Sequence, residues 1–360
     1  MSNNTDSNET ILEIFQFAVF GIMGCLICIL GFIGNILTLT VLGNSAMRRL
    51  NSSIYLIALA ICDILILIGF FLTFTFPMLK PGFRRQELND YLLYPLCLVS
   101  QTSAIYIIVG FTIERFIVIR YPLKNLSLSV KKSVRIVVII VISSIIYNIP
   151  RMIEQVEIKI CINMTSKKIM LKDHILYKKI YFTYLYPIVM FILPFIVLLI
   201  LNSCLLHTIK KSWKNHFHNT KGINSNLSTS SSQPNRRVTI QTSKETNLNV
   251  MIVGVVFTFL ICQFLPMIDN IIIHYYGYPH TLEYYIFYTI SSLFVVLNSA
   301  VNFLLYCFIG KKFRHVLIYI YCNRNKCLSK GNKNKKMETT LMKESPTRSC
   351  HELLLKQTLQ

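Results

Sequence analysis

The chain has 360 residues, of which 53% are hydrophobic and only 15% charged, against roughly 45–50% and 25% in soluble domains. Its formal charge of +21 would suit a nucleic-acid binder, but such proteins do not also reach a mean hydropathy of +0.51, so the basic residues must lie in loops beside apolar segments. Eleven cysteines, spread mostly through apolar runs, do not make the short, regularly spaced framework of a secreted disulfide protein.

In chain order, seven apolar stretches are long enough to cross a bilayer of roughly 30 Å. They run from about Ile14 to Leu42, Ile54 to Leu79, Leu92 to Ile119, Val134 to Pro150, Ile180 to Ile209, Val250 to Ile273 and Tyr284 to Ile309. Their apolar residues are continuous rather than alternating, which predicts helices and not barrel strands. The first run has no basic flank and no small-residue cleavage site, so it reads as a signal anchor. Of the 37 Lys and Arg, none precedes the first span, seven lie between spans five and six, and twelve follow Ile309. The positive-inside rule therefore puts the amino terminus outside and the carboxyl terminus in the cytoplasm. Seven basic residues between spans four and five run against this without reversing it, since long loops translocate largely regardless of charge. With this topology the sequons at Asn3, Asn8 and Asn163 face the lumen and are candidate glycosylation sites, whereas those at Asn51, Asn125 and Asn226 are cytoplasmic.

The connections have their own signatures. Residues 219–249 are rich in Ser, Thr and Asn and are expected to be a disordered cytoplasmic loop, either a plain linker or a phosphorylated one. Gln155 to Ile162 alternates apolar and polar residues, and Ile169 to Leu176 can pair with it around Asn163, giving a short hairpin lid. After Gly310, Phe313, Val316 and Leu317 share one helical face opposite basic residues, as in an interfacial helix. Cys322 and Cys327 follow it as candidates for palmitoylation. The fold class is thus an all-α membrane protein, a seven-helix bundle with a short amphipathic eighth helix.

Ionisable groups inside spans are costly and point to function. Asp63 lies mid-span two, with Asn35, Asn298, Ser299 and Asn302 as candidate partners; such a set holds a monovalent cation or a proton, or simply knots the helices together. Glu114 and Arg115 end span three, and Asp269 follows Pro266 in span six, on a helix that Pro266 must bend.

At these residues the chain resembles the rhodopsin-like family of G-protein-coupled receptors. The resemblance covers about Ile14 to Tyr321 and rests on Gly34-Asn35, Leu59-Ala60-Ile61-Cys62-Asp63, Glu114-Arg115-Phe116, Pro194, Cys262-Gln263-Phe264-Leu265-Pro266 and Asn302-Phe303-Leu304-Leu305-Tyr306, in order on the seven spans. It implies a division into an outer tail (1–13), a receptor domain (14–309), the amphipathic helix (310–321) and a cytoplasmic tail (322–360). It further implies that Glu114 holds Arg115 at rest, that Tyr306 swings beneath Arg115 on activation, and that Asp63, Asn298 and Asn302 line a site for sodium and water, with no other cofactor or metal. Bending at Pro266 would let span six swing outward. A heterotrimeric G protein, with arrestin and a receptor kinase, would be the cytoplasmic partners; the bilayer is the solvent, and no nucleic acid is involved.

The chain also departs from that pattern. Its only Trp is Trp213, so the tryptophans of spans four and six are missing, and the span-six position falls on Phe264. Phe303 stands for the Pro of span seven, Asn202 for a Tyr of span five, and Ala104 for the sodium-site Ser of span three. The usual cysteine 25 positions before Arg115 is Asp90, while Cys97 lies 18 before it, roughly 10 Å deeper at about 1.5 Å per residue. Cys97 and Cys161 are the outward cysteines; either they pair and the lid dips into the mouth, or both are free thiols.

Cys97 stands where amine receptors of the family carry an Asp, and Val296 where a retinal lysine would be, which disfavours both; the expected hairpin lid resembles that of the family's peptide receptors, so the resemblance implies a peptide ligand. The likeness is to invertebrate FMRFamide-type neuropeptide receptors, through Tyr147-Asn148-Ile149-Pro150-Arg151, Gln101-Thr102-Ser103-Ala104-Ile105-Tyr106 and Leu297-Asn298-Ser299-Ala300-Val301-Asn302-Phe303. An Arg-Phe-amide demands an acid and an aromatic slot. Asp269 is the favoured acid over Glu283, Glu154 and Glu157; Tyr186, Phe264, Tyr285 and Tyr288 are the candidate aromatics, and Gln101 and Gln263 the groups for the terminal amide. The alternatives are an orphan receptor for a non-peptide ligand and a membrane transporter, though the chain shows neither internal repeats nor several intramembrane charges. A membrane enzyme would need a nucleophile or metal cluster, and the eight His show no metal-ligand spacing.

Overall fold

The computed structural model describes residues 2–48, 51–80, 82, 89–120, 130–153, 157–162, 165–170, 177–207, 234–276 and 279–323, and of these 2–7, 46, 48, 51, 89–90, 119, 157–162, 165–170, 178–179, 182, 234–249, 274 and 322–323 by the course of the backbone alone. Among the described residues, seven helices are long and apolar enough to cross a membrane: α1 (Asn8–Gly43), α2 (Ser52–Leu79), α3 (Tyr91–Val118), α4 (Val130–Ile153), α5 (Thr183–His207), α6 (Val250–Ile273) and α7 (Leu282–Ile309). An eighth, α8, spans Lys311–Ile318. Stretches of wider, π-helical winding interrupt α1 at Phe17–Met23, α2 at Phe71–Thr75 and α5 at Ile188–Ile192. Two compact units divide at Arg314, Met1–Arg314 and His315–Gln360.

Three expected boundaries move. The first helical run starts at Ser2, inside the expected tail. Helix α4 continues through Pro150 to Ile153. The run that contains α6 begins at Pro234, so the second half of the expected disordered loop is helical; a proline at the first helical position starts it, where its missing N–H costs nothing. Residues 219–233 lie outside the described residues.

Between α4 and α5, strands β1 (Glu157–Ile162) and β2 (Thr165–Met170) form the expected hairpin, but its register differs. Ile162 pairs with Thr165 and Glu157 with Met170, so β2 begins at Thr165 rather than at Ile169. We refer to this end of the bundle as the hairpin end and to the other as the Arg115 end.

Helices α1 and α7 meet at small residues. A Cβ added to Gly31 would come within 2.8 Å of Ala300, and one added to Gly34 within 2.9 Å of Phe303, so only glycine lets the backbones approach this closely. Beside that seam, Phe20 packs on Phe70 and Phe74 with ring centroids 5.8 and 5.0 Å apart. Outward faces are lined with Ile, Leu and Phe, as lipid contact requires.

Candidate functional site

Mid-bundle, α1, α2 and α7 converge on one polar centre. Asp63 is fully buried and accepts a 2.8 Å hydrogen bond from Asn302 Nδ2. Asn35 Nδ2 donates at 2.9 Å to the carbonyls of Gly31 and Ser299, so it ties α1 to the backbone of α7 instead of reaching the Asp63 carboxylate. Asp63 Oδ1 is buried with no hydrogen-bond partner, which fits either a bound cation or a carboxyl proton. Asn298 and Ser299, with Gln101 of α3 and Gln263 of α6, line a small cavity of ≈ 10 Å³ next to Ala104, about the room one water needs.

At the Arg115 end, Glu114 is 2% exposed and lies 3.2 Å from Arg115 Nη2. Ser133 of α4 donates to the same carboxylate at 3.4 Å. Arg115 also donates to Ser52 Oγ of α2 and lies over the Phe111 ring, 5.8 Å from its centroid. A charge pair this enclosed needs these extra donors to offset desolvation. Tyr306 is buried and packs on Phe313 of α8, with centroids 5.7 Å apart. Glu114 thus lies against Arg115, as expected of the pair, while Tyr306 packs on Phe313. Pro266 lies within an unbroken α6, and Asn270 donates to its carbonyl at 2.8 Å.

The hairpin end gathers the expected ligand residues into two groups. On α6 and α7, Asp269 is 8% exposed, with the Tyr284 hydroxyl as its hydrogen-bonding neighbour, and its Oδ1 is buried without a partner. Tyr288 lies beside Tyr284, 6.5 Å between centroids, and the Tyr285 hydroxyl is 3.1 Å from His280 Nδ1. On α4 and α5, Tyr186 packs edge-on to Phe191 and carries the Arg151 guanidinium 5.6 Å above its ring. Gln101 is in neither group; it lines the mid-bundle cavity.

Two expectations are corrected. Phe264 is 50% exposed on the outer surface of the bundle, and Gln263, 1% exposed, takes the inward place. The physical reason is the helical stripe: Val256, Phe259, Cys262, Gln263 and Asp269 are buried on one face, while Phe257, Ile261, Phe264 and Ile271 share the other. Phe264 is therefore neither a pocket aromatic nor a switch residue. The second correction is the disulfide. Cys97 is a free thiol whose Sγ would lie 2.0 Å from a Cβ placed on Gly69, so it is seated against α2. Asn3, Cys161, Asn163, Cys322 and Cys327 lie outside the residues whose side chains are described, while Asn8 is exposed.

The sequence reading missed Arg151 as a site residue. It is 7% exposed, hydrogen-bonds Tyr94 and lies 5.3 Å over that ring. The signal was an Arg directly after Pro150; ending span four at that proline assigned it to the loop. Tyr147, Tyr177 and Tyr181 extend the same aromatic cluster, with stacked rings 5.8 and 5.2 Å apart.

A polar centre buried mid-bundle between helices that can cross a membrane, with a clamped Glu–Arg pair below it and an open carboxylate above, is the architecture of a seven-helix membrane receptor. Residues 34–306 match the model of the 7 transmembrane receptor (rhodopsin family), and the chain belongs to that family: it is a multi-pass membrane protein of a receptor class, not an enzyme. It is 28% identical to an FMRFamide receptor of Drosophila melanogaster over 86% of its length, spanning 55% of that relative. It is 30% identical to the probable G-protein coupled receptor frpr-1 of Caenorhabditis elegans over 85% of this chain and 80% of the relative. Against the FMRFamide peptide receptor frpr-18 of the same worm the identity is 27%, over 81% of this chain and 67% of the relative. The chain thus spans about half the length of the fly receptor that it matches.

Proposed function

We propose that the chain is a plasma-membrane receptor for an extracellular FMRFamide-like neuropeptide, with its amino terminus outside, and that it passes agonist binding to a heterotrimeric G protein. The observation that carries this reading is Asp269: a buried carboxylate oxygen without a partner, set among Tyr284 and Tyr288, in a chain similar over most of its length to two FMRFamide receptors. A peptide guanidinium supplies the missing donors, and the tyrosine rings accept its cationic and aromatic groups. The Glu114–Arg115 pair is the element that agonist binding would release toward the G protein, arrestin or a receptor kinase. Asp63, with Asn302 and Asn298, is the place where a sodium ion would bind; its charge would be matched there by the carboxylate. Asn3, Asn8 and Asn163 would carry glycans, and Cys322 and Cys327 would be acylated.

The test is a calcium and cAMP screen of cells expressing the chain against a neuropeptide panel that includes Arg-Phe-amides, with Arg115→Ala as control. A sub-micromolar Arg-Phe-amide response that the control lacks is expected. Silence to the panel with surface expression verified would remove the peptide assignment.

A further inference from the structure

The mid-bundle cavity is lined by polar side chains from three helices: Gln101 of α3, Gln263 of α6, and Asn298 and Ser299 of α7. Gln263 is 1% exposed, and its Oε1 is buried without a hydrogen-bond partner. Ile105, Ile108, Phe259 and Val295 add apolar walls. The volume of ≈ 10 Å³ has room for one water and for no peptide group. Among the described residues the lining holds no carboxylate, so it suits a neutral molecule that both donates and accepts hydrogen bonds.

The three walls are not equally anchored. Asn35 donates to the Ser299 carbonyl at 2.9 Å, beside the glycine contacts that hold α1 against α7. Helix α3 packs closely on α2 and α4, and Asn148 of α4 donates at 3.0 Å to Thr102, the neighbour of Gln101. Helix α6 lies along α7 and touches α3 sparingly, with Phe259 set 5.9 Å from Phe195 of α5 between ring centroids. An unsatisfied buried oxygen costs the full desolvation of that group, so whatever satisfies Gln263 Oε1 sets how firmly α6 stays against α3. A bridging water is nearly as favourable as a direct hydrogen bond, and apolar walls strengthen it further.

We propose that one water in this cavity bridges Gln101, Gln263 and Asn298, forming a clasp that fastens α6 to α3 and α7 in the resting state, so that Gln101 and Gln263 are positioning residues for the movement of α6. The water donates to Gln263 Oε1 and accepts from the side-chain amides of Gln101 and Asn298. The two glutamines therefore act beneath the ligand rather than on its terminal amide. The effect on a G protein rests on the receptor reading, whereas the clasp itself does not.

The experiment uses the purified full chain in nanodiscs, without ligand, and N-ethylmaleimide as the probe. Cys262, adjacent to Gln263 and buried, reports opening of α6; Cys28 of α1 and Cys62 of α2, also buried, are the references. Only a thiolate reacts, so labelling read residue by residue by mass spectrometry follows the access of water to each thiol. Gln263→Met and Gln101→Met keep the side-chain length, and each is expected to raise the Cys262 rate about five-fold with Cys28 and Cys62 unchanged. The double variant should not exceed either single one, because both act through the same water. Basal nucleotide exchange on an added G protein should rise in the same order. Rates that multiply in the double variant would make the glutamines independent and overturn the clasp. An unchanged Cys262 rate would do the same, as would an equal rise at Cys28 and Cys62, which marks general loosening. A Cys262 rate that falls when sodium replaces choline in the buffer would assign the cavity to an ion and overturn the water. Coupled labelling with flat basal exchange, in a chain that signals to a peptide, would overturn the role in signalling. Coupled labelling in a chain that engages no G protein would support the clasp and count against the receptor reading.

Discussion

The two ends of the bundle treat charge in opposite ways. At the Arg115 end a Glu, an Arg and two serines from α2, α3 and α4 bond to one another, the carboxylate lying against its cation; at the hairpin end Asp269 keeps an oxygen without a partner and has a tyrosine hydroxyl rather than a cation as its neighbour. Buried charges are tolerated only when paired, so the first end is arranged to persist as it is and the second to be completed from outside. The difference separates a lock from a receptacle within one fold.

The largest expected effect would come from opening the lock. Arg115→Ala leaves Glu114 buried beside Ser133 without its cation, a loss of about 3–5 kcal/mol. Thermal unfolding of the purified chain should show it, together with loss of agonist-driven G-protein activation; an unchanged midpoint would mean that the pair contributes nothing to the resting fold. Next in size is the seam that both ends share. Gly34→Leu places carbons where Phe303 already stands, and overpacking of this kind costs about 1–3 kcal/mol, read as lower surface expression and a lower unfolding midpoint. Asp269→Asn sharpens the comparison from the other side: it should weaken an Arg-containing peptide by tens of fold or more, since a charge-assisted bond contributes about 1.5–3 kcal/mol, while stability holds or rises because an unpaired buried carboxylate is gone. A fall in stability alongside intact affinity would place Asp269 in the lock instead. Smallest of all, Phe264→Leu should stay within about 0.5 kcal/mol and leave dose–response curves unmoved. A large loss of signalling there would restore Phe264 as an inward switch.

Much of the lock was legible in the sequence, because a Glu-Arg pair closing an apolar run and an Asp in the centre of another stand out against their surroundings. Asn302 on Asp63 followed from the same reasoning. The facing of α6 was less accessible: counting from Pro266 selects Phe264, while the buried stripe through Phe259, Cys262 and Gln263 is plain only when the whole helix is laid out by its 3.6-residue period. Arg151 was hidden by a proline that ends many helices but sits inside α4. The helical run that leads into α6 from Pro234 was obscured by a Ser-, Thr- and Asn-rich composition, which is a weak guide where a long helix propagates from an apolar segment. The hairpin was found but its register was not, since alternation fixes which residues share a face and leaves the turn length open.

The glycine seam sets the mechanical reference of the molecule. Between Gly31 and Ala300, and between Gly34 and Phe303, not even a methyl group fits, and Asn35 pins the two backbones together at 2.9 Å. Neither sliding nor parting can occur there without surrendering contact at successive turns, so α1 and α7 move as one strut. A pair of distance probes on those two helices would therefore be an internal ruler of constant length, against which the displacement of any other helix could be read.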